Sequence, residues 1–322
     1  MLRSLYKRRA VVLWVEDELT KEYLRALWQK DPRIGFAVAA GREGVSALTT
    51  DARSGPDQRT NVFGVQDRDF GETNFPDWAD PGTVIFRLRR YEIENYLLDW
   101  DALAGCATQG LHRNADEIER RVKNGAEELV WWAACKRLLC DLRVQVKARF
   151  PTGPTQMERR VKKRAEELGW WAACKRLLSD LRVQVTGSFP ADPARDKITD
   201  HGSALDYILK TNGWHGHVCG LPETSLENNS IASNLSKYHK EIKQTINAGD
   251  WPETFPGKPL FRAARGYITN LREGSKGEDD IDLAKAVADE QVRKGRQPPD
   301  LMALRDCLIK RTGLSIRSSR HP

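Results

Sequence analysis

Long apolar runs are missing from this 322-residue chain. None approaches the roughly 20 residues that cross a bilayer, so no membrane-spanning helix is expected. The first ten residues are basic, but the apolar segment Ala10–Val15 is shorter than a signal-peptide core and meets Glu16 at once. A cytoplasmic protein is therefore expected. Cysteine is sparse too. The six present lack paired close spacing, which suits free thiols in a reducing compartment better than a disulfide framework. His215, His217 and Cys219 alternate in Trp214–Cys219, yet a fourth ligand at suitable spacing is missing and the glycines indicate a turn. Zinc is not expected there.

Apolar residues make up 40% of the chain and charged ones 30%, a balance typical of a globular protein large enough for one large or two modest domains. The net charge of +7 is concentrated. Residues 119–151 and 158–190 each hold 8 Lys/Arg against 4 Asp/Glu, so the remainder is close to neutral. These two stretches are copies of one another at an offset of 39 residues. Glu119–Lys123 recurs at Glu158–Lys162, and Trp131–Leu139 recurs at Trp170–Leu178. Both copies read as long helices separated by the breaker Pro151-Thr152-Gly153-Pro154. They predict an antiparallel hairpin with Trp, Leu and Val inside and Lys and Arg outside. Arg120, Arg121, Lys123, Arg159, Arg160, Lys162 and Lys163 then form a surface for a partner protein or for nucleic acid. A solvated basic face is the plainer alternative.

The first hundred residues alternate short β-branched apolar runs with helical spacing. Strands are predicted at Ala10–Val15, Ile34–Ala40, Val62–Val65 and Thr83–Leu88. Helices are predicted from Leu19 to the stop at Asp31-Pro32 and over 42–53. The pattern implies a mostly parallel sheet flanked by helices, which binds ligands beyond the carboxyl ends of its strands. Acids collect at those ends: Glu16 after the first strand, Asp67 and Asp69 after the third, Glu92 and Glu94 after the fourth. Residues i and i+2 of a strand point to one side, so Asp67 and Asp69 project together. Carboxylates held that close repel unless a proton or a cation lies between them. Oxygen-only ligands favour Mg²⁺ or Mn²⁺, one ion or two. An Asp67-Arg68-Asp69 turn open to water is the alternative.

Glu at the end of the first strand, Asp-x-Asp after the third, and Glu92-Ile93-Glu94-Asn95-Tyr96-Leu97-Leu98 after the fourth resemble the TOPRIM domain. The likeness is to the branch of overcoming-lysogenization-defect nucleases, and within it to the TOPRIM effector subunits of PARIS anti-phage systems. It covers residues 10–100 well and 250–270 loosely, through Trp251-Pro252 and Pro256–Leu260. The chain departs from the family in having Asp17 where Gly is usual and Thr20 where a further acid is common. Glu18 or Glu22 would have to substitute for that acid. The resemblance implies a metal-dependent nuclease effector of abortive infection, held inactive by a partner ABC-type ATPase until a phage trigger releases it to dimerise. Its implied target is host tRNA, although nothing in the sequence distinguishes RNA from DNA.

In such chemistry Glu16, Asp67 and Asp69 hold a metal that polarises a phosphoryl oxygen and acidifies a bound water. Glu92 or Glu94 would hold a second ion or act as general base, or else favour the dipole of a following helix. Arg68, Arg89 and Arg90 would hold backbone phosphates or neutralise the acids around them. Lys258 alone reads as a solvated loop lysine; the resemblance gives it the role of stabilising charge on the phosphorane. Two alternatives stay open: a TOPRIM DNA nickase or primase-like enzyme, and a non-catalytic assembly subunit. No topoisomerase tyrosine context or zinc-binding primase module is visible. Three segments are expected: a catalytic domain over 1–112, a basic helical insertion over 113–195, and a mainly helical region over 196–322. Within the last, Ser203–Leu209, Ser230–Asn247, Leu260–Leu271 and a stretch from Leu283, broken at Pro298-Pro299, are predicted helices. Trp251–Pro259 and Glu273–Asp280 are predicted loops.

Overall fold

The computed structural model describes residues 10–54, 58–68, 77–107, 114–149, 194–210, 228–249, 251–269 and 277–313. Four parallel strands form one sheet in the order β2-β1-β3-β4: β1 Val11–Val15, β2 Ile34–Val38, β3 Val62–Gln66 and β4 Ile85–Arg87. Every residue of β1 and β3 is buried, as continuous apolar runs in a covered parallel sheet should be. The register pairs Leu13 with Phe36 on one side and with Phe63 on the other, and pairs Val65 with Phe86.

Helix α1 (Glu18–Leu27) follows β1, and Asp17 caps it by accepting the Thr20 N–H at 2.8 Å. Such a cap satisfies an otherwise orphaned donor. The acids weighed as substitutes at Thr20 are engaged in ion pairs: Glu18 with Lys21, and Glu22 with Lys21 and Arg25. Helix α2 (Arg42–Ser54) presses on β3 so closely that a Cβ at Gly64 would lie 2.5 Å from Val45 Cγ1 and 2.8 Å from Thr49 Oγ1. Glycine is what permits that approach.

After a short 3₁₀ turn, Ile93–Tyr96, come α3 (Trp100–Gly105), α4 (Ala115–Glu128), α5 (Val130–Arg149), α6 (His201–Lys210) and α7 (Asn228–Ala248). The chain ends in α8 (Trp251–Thr254), α9 (Gly257–Thr269), α10 (Gly277–Arg293) and α11 (Pro299–Arg311). Among the described residues no helix is long and apolar enough to cross a membrane.

Two compact units result, one of residues 1–126 with 249–322 and one of 127–248. They divide the chain elsewhere than the three consecutive segments expected, because the C-terminal helices return to the sheet. Helix α10 packs on α1 and α3, where Gln291 Oε1 accepts from the Tyr23 hydroxyl at 2.8 Å. Arg311 of α11 donates to the carbonyls of Trp78, Asp80 and Thr83. The first repeat copy is not one long helix: it breaks at Leu129 between α4 and α5, and the break falls near the boundary between the units. Arg121 of α4 lies over the Tyr267 ring at 5.0 Å, and Tyr267 donates to Glu117, which ties α4 to α9.

In the second unit α5, α6 and α7 bury Ala134, Leu138, Ile208, Leu235 and Ile242. Trp132 is in this core, as twinned tryptophans usually are, while Trp131 stacks on His239 with ring centroids 3.7 Å apart. The second repeat copy lies outside the described residues, and with it the expected hairpin.

Two predicted loops are wholly or partly helical. Within Trp251–Pro259, α8 forms a turn and α9 begins at Gly257. Pro259 sits in the first turn of α9, where its missing N–H has no intrahelical partner to lose. Within Glu273–Asp280 the helix α10 begins at Gly277. Strand β4 is also shorter than expected, three residues in place of six.

Candidate active site

Three strands bring acids to the carboxyl edge of the sheet, and one distant helix brings a lysine. Glu16 leaves the end of β1, and its Oε1 accepts the Asp67 N–H at 3.0 Å. Asp67 leaves β3, and its Oδ1 accepts the Ile93 N–H at 3.2 Å. The Arg68 N–H donates to the Tyr91 carbonyl at 2.9 Å, which extends the pairing of these two chain segments past the strands. Glu92 and Glu94 sit at the head of the 3₁₀ turn, both buried. From the start of α9, Lys258 places its Nζ 4.0 Å from Glu94 Oε1.

The electrostatics are those of anions gathered out of water. Burial pushes the Asp67 carboxyl well above its usual range, and Glu94 and Glu16 push it further. Glu94 is raised to about 8, first by burial and then by Glu92, with Lys258 opposing. Glu16 is raised by burial, although the Asp67 N–H and Arg42 favour its charged form. Burial works against the Lys258 ammonium, yet Glu94, Glu92, Asp67 and Asp17 outweigh it and hold its pKa above the ordinary value. Glu94 Oε2 is buried and has no hydrogen-bond partner among the described residues. A buried carboxylate oxygen left unpaired is costly, and a cation is the natural partner for it.

No match for this chain is found among protein-family models, curated proteins or solved structures.

Of the three expected metal ligands, Glu16 and Asp67 adjoin one another, while Asp69 lies outside the described residues. Among the described residues no group of three His, Cys, Asp or Glu is arranged to hold a metal ion. The donor chemistry is nonetheless that of a hard divalent cation, carboxylate oxygens only, with the unpartnered Glu94 oxygen among them. The expected arginines separate. Arg90 donates to the Asn95 carbonyl at 2.9 Å and covers the Tyr96 ring, so its guanidinium is engaged in holding the turn. Arg89 is exposed over Trp78 at 4.8 Å. Arg120 is exposed and Lys123 half-buried on α4, whereas Arg159, Arg160, Lys162 and Lys163 lie outside the described residues, as do His215, His217 and Cys219.

Sequence reasoning missed the residues that hold the acids in place. Tyr96 accepts the N–H groups of both Arg89 and Arg90 and donates to Asp300 at 2.6 Å. Gln291 donates to the Tyr96 carbonyl at 3.0 Å. Asn95, fully buried, donates to the Pro252 and Phe255 carbonyls. The one local signal was Asn95 standing three residues after Glu92; its partners lie about 160 residues away and leave no trace in sequence spacing.

Proposed function

We propose that this protein is a divalent-metal-dependent phosphodiester hydrolase, a nuclease whose site is the carboxyl edge of the sheet. The observation that carries the reading is the meeting of Glu16, Asp67, Glu94 and Lys258 from β1, β3, the turn after β4 and α9. Burial raises the pKa of all three acids, and a neighbouring carboxylate adds to it at each: Glu94 and Glu16 at Asp67, Glu92 at Glu94, and Asp17 at Glu16. Such a site costs stability as it stands and is suited to a cation.

Glu16 and Asp67, with Asp69, would hold Mg²⁺ or Mn²⁺, which when bound supplies Lewis acidity and a more acidic water. Lys258 places positive charge beside the acids, in position to meet the charge that develops on a phosphoryl group. Glu94, raised to about 8 chiefly by burial, is suited to exchange a proton through Oε2, which has no hydrogen-bond partner among the described residues.

A tRNA substrate, an ABC-type ATPase that restrains the enzyme, and dimerisation on activation are proposed on the family resemblance alone. The test is direct. Purified protein is incubated with tRNA, with single- and double-stranded DNA, and with Mn²⁺ or Mg²⁺, against chelator and Glu16→Ala controls. Cleavage of tRNA that chelator and Glu16→Ala both abolish is expected. Equal cleavage by the wild type and the variant sinks the assignment, and cleavage of DNA alone redirects it to the nickase alternative.

A further inference from the structure

Glu92 and Glu94 stand at the head of one turn, but their surroundings differ. Glu94 leaves Oε2 unpartnered among the described residues and turns Oε1 toward the Lys258 ammonium. Glu92 Oε2 instead accepts the backbone N–H of Lys258 at 2.9 Å, while the Glu92 N–H donates to Asn95 Oδ1 at 2.8 Å. The other end of the Asn95 amide donates to the carbonyls of Pro252 at 2.7 Å and Phe255 at 2.8 Å. Gly257 closes on the same amide: a Cβ there would lie 2.6 Å from Asn95 Oδ1 and 2.7 Å from Asn95 N. Hydrogen bonds on both sides of one buried asparagine thus fasten the turn after β4 to the segment that opens α9. The Glu92 carboxylate also meets the positive end of that 13-residue helix.

We propose that Glu92 and Asn95 are positioning residues, a clamp that seats Lys258 beside Glu94 and Asp67, and that Glu92 is neither a metal ligand nor the general base. The consequence for cleavage rests on the nuclease reading above; the clamp itself rests on the hydrogen bonds. The two roles make different chemical demands. A ligand or a base must be a carboxylate, whereas a cap need only offer an oxygen acceptor. Glutamine keeps the acceptor and loses the charge.

The experiment compares Glu92→Gln, Glu92→Ala, Asn95→Ala and Gly257→Ala in the full chain. Amide hydrogen exchange is followed over residues 252–262, a readout that needs no activity, and tRNA cleavage is followed with Mn²⁺. The two alanine truncations and Gly257→Ala are expected to speed exchange in that segment roughly tenfold, the scale of a lost cap. Glu92→Gln is expected to keep its protection and to cleave roughly tenfold faster than Glu92→Ala. Equal loss of cleavage in Glu92→Gln and Glu92→Ala, with protection intact in both, overturns the proposal, because the charge itself is then required. If the wild type cleaves nothing, the nuclease reading fails and exchange alone decides the clamp: unchanged protection in Glu92→Ala overturns it, and loss rescued by glutamine upholds it. Should Glu92→Ala not fold, Glu92→Gln against the wild type decides: cleavage lost with protection intact overturns the proposal, and cleavage kept upholds it.

Discussion

The helical unit and the acidic edge of the sheet handle charge in opposite ways. In the helical unit, charged groups beside the core meet partners: Arg137 binds Glu241 at 2.9 Å and covers the Tyr238 ring, and Tyr238 donates to Asp141. The unit with the sheet does the same away from its acidic edge, where Arg265 and Asp280 form a buried pair at 2.6 Å. At the edge itself Glu16, Asp67 and Glu94 gather beside the Lys258 ammonium, and Glu94 Oε2 has no hydrogen-bond partner among the described residues. The attraction within a complementary pair offsets the cost of its desolvation, whereas the repulsion of like charges collected out of water adds to it. Local conflict of that kind is expected where a site is built for something other than stability.

The largest effect expected from breaking this contrast lies in the helical unit. Trp132→Ala removes a buried side chain and should destabilise that unit by about 3–5 kcal/mol, as measured by denaturant unfolding followed through a signal from residues 127–248. Next is Glu16→Ala at the acidic edge. It should lower cleavage by at least about 100-fold, since even outer-shell changes cost 10- to 100-fold, while melting stays within a few degrees of the wild type.

Third is the pH dependence of the edge. Glu94 is an acid whose folded pKa, about 8, lies above its ordinary value. The folded state therefore binds the proton more tightly, and this group's stabilising contribution is complete below pH 4.5 and is lost as pH rises to about 8. Glu94→Gln should match the wild type near pH 5 and exceed it by about 1–3 kcal/mol at pH 9, at 1.36 kcal/mol per pKa unit and discounted for coupling. Added Mn²⁺ should raise the wild-type melting temperature more at pH 9 than at pH 6, because ion and proton compete for the same oxygens. Equal shifts at the two pH values would count against a cation at this edge. The smallest effect is Arg137→Ala, a half-exposed pair with a cation–π contact, expected to cost under about 1 kcal/mol by thermal unfolding.

The acidic edge was legible because it is built from local rules. Val11–Val15, Ile34–Val38 and Val62–Gln66 are apolar runs too short for helices, and a parallel sheet puts the residues that follow them on one side. Glu16 and Asp67 could thus be placed together from pattern alone. Trp251–Pro259 was misread because a proline in a first helical turn and a proline in a loop look the same without the rest of the helix. The first repeat copy, uniform in sequence, divides at Leu129, which periodicity could not locate.

Sequence by itself determined the parallel sheet, the order of its acids and the concentration of positive charge, since strand period, apolar run length and charge counting act over a few residues. Only the tertiary structure decided that Lys258, which in the sequence had a role by resemblance alone, lies beside those acids, that Asn95 and Gly257 bring it there, and that Glu92 and Glu94 face different partners. Those outcomes depend on hydrogen bonds and close packing between segments some 160 residues apart, and such contacts are chosen by the folded chain as a whole.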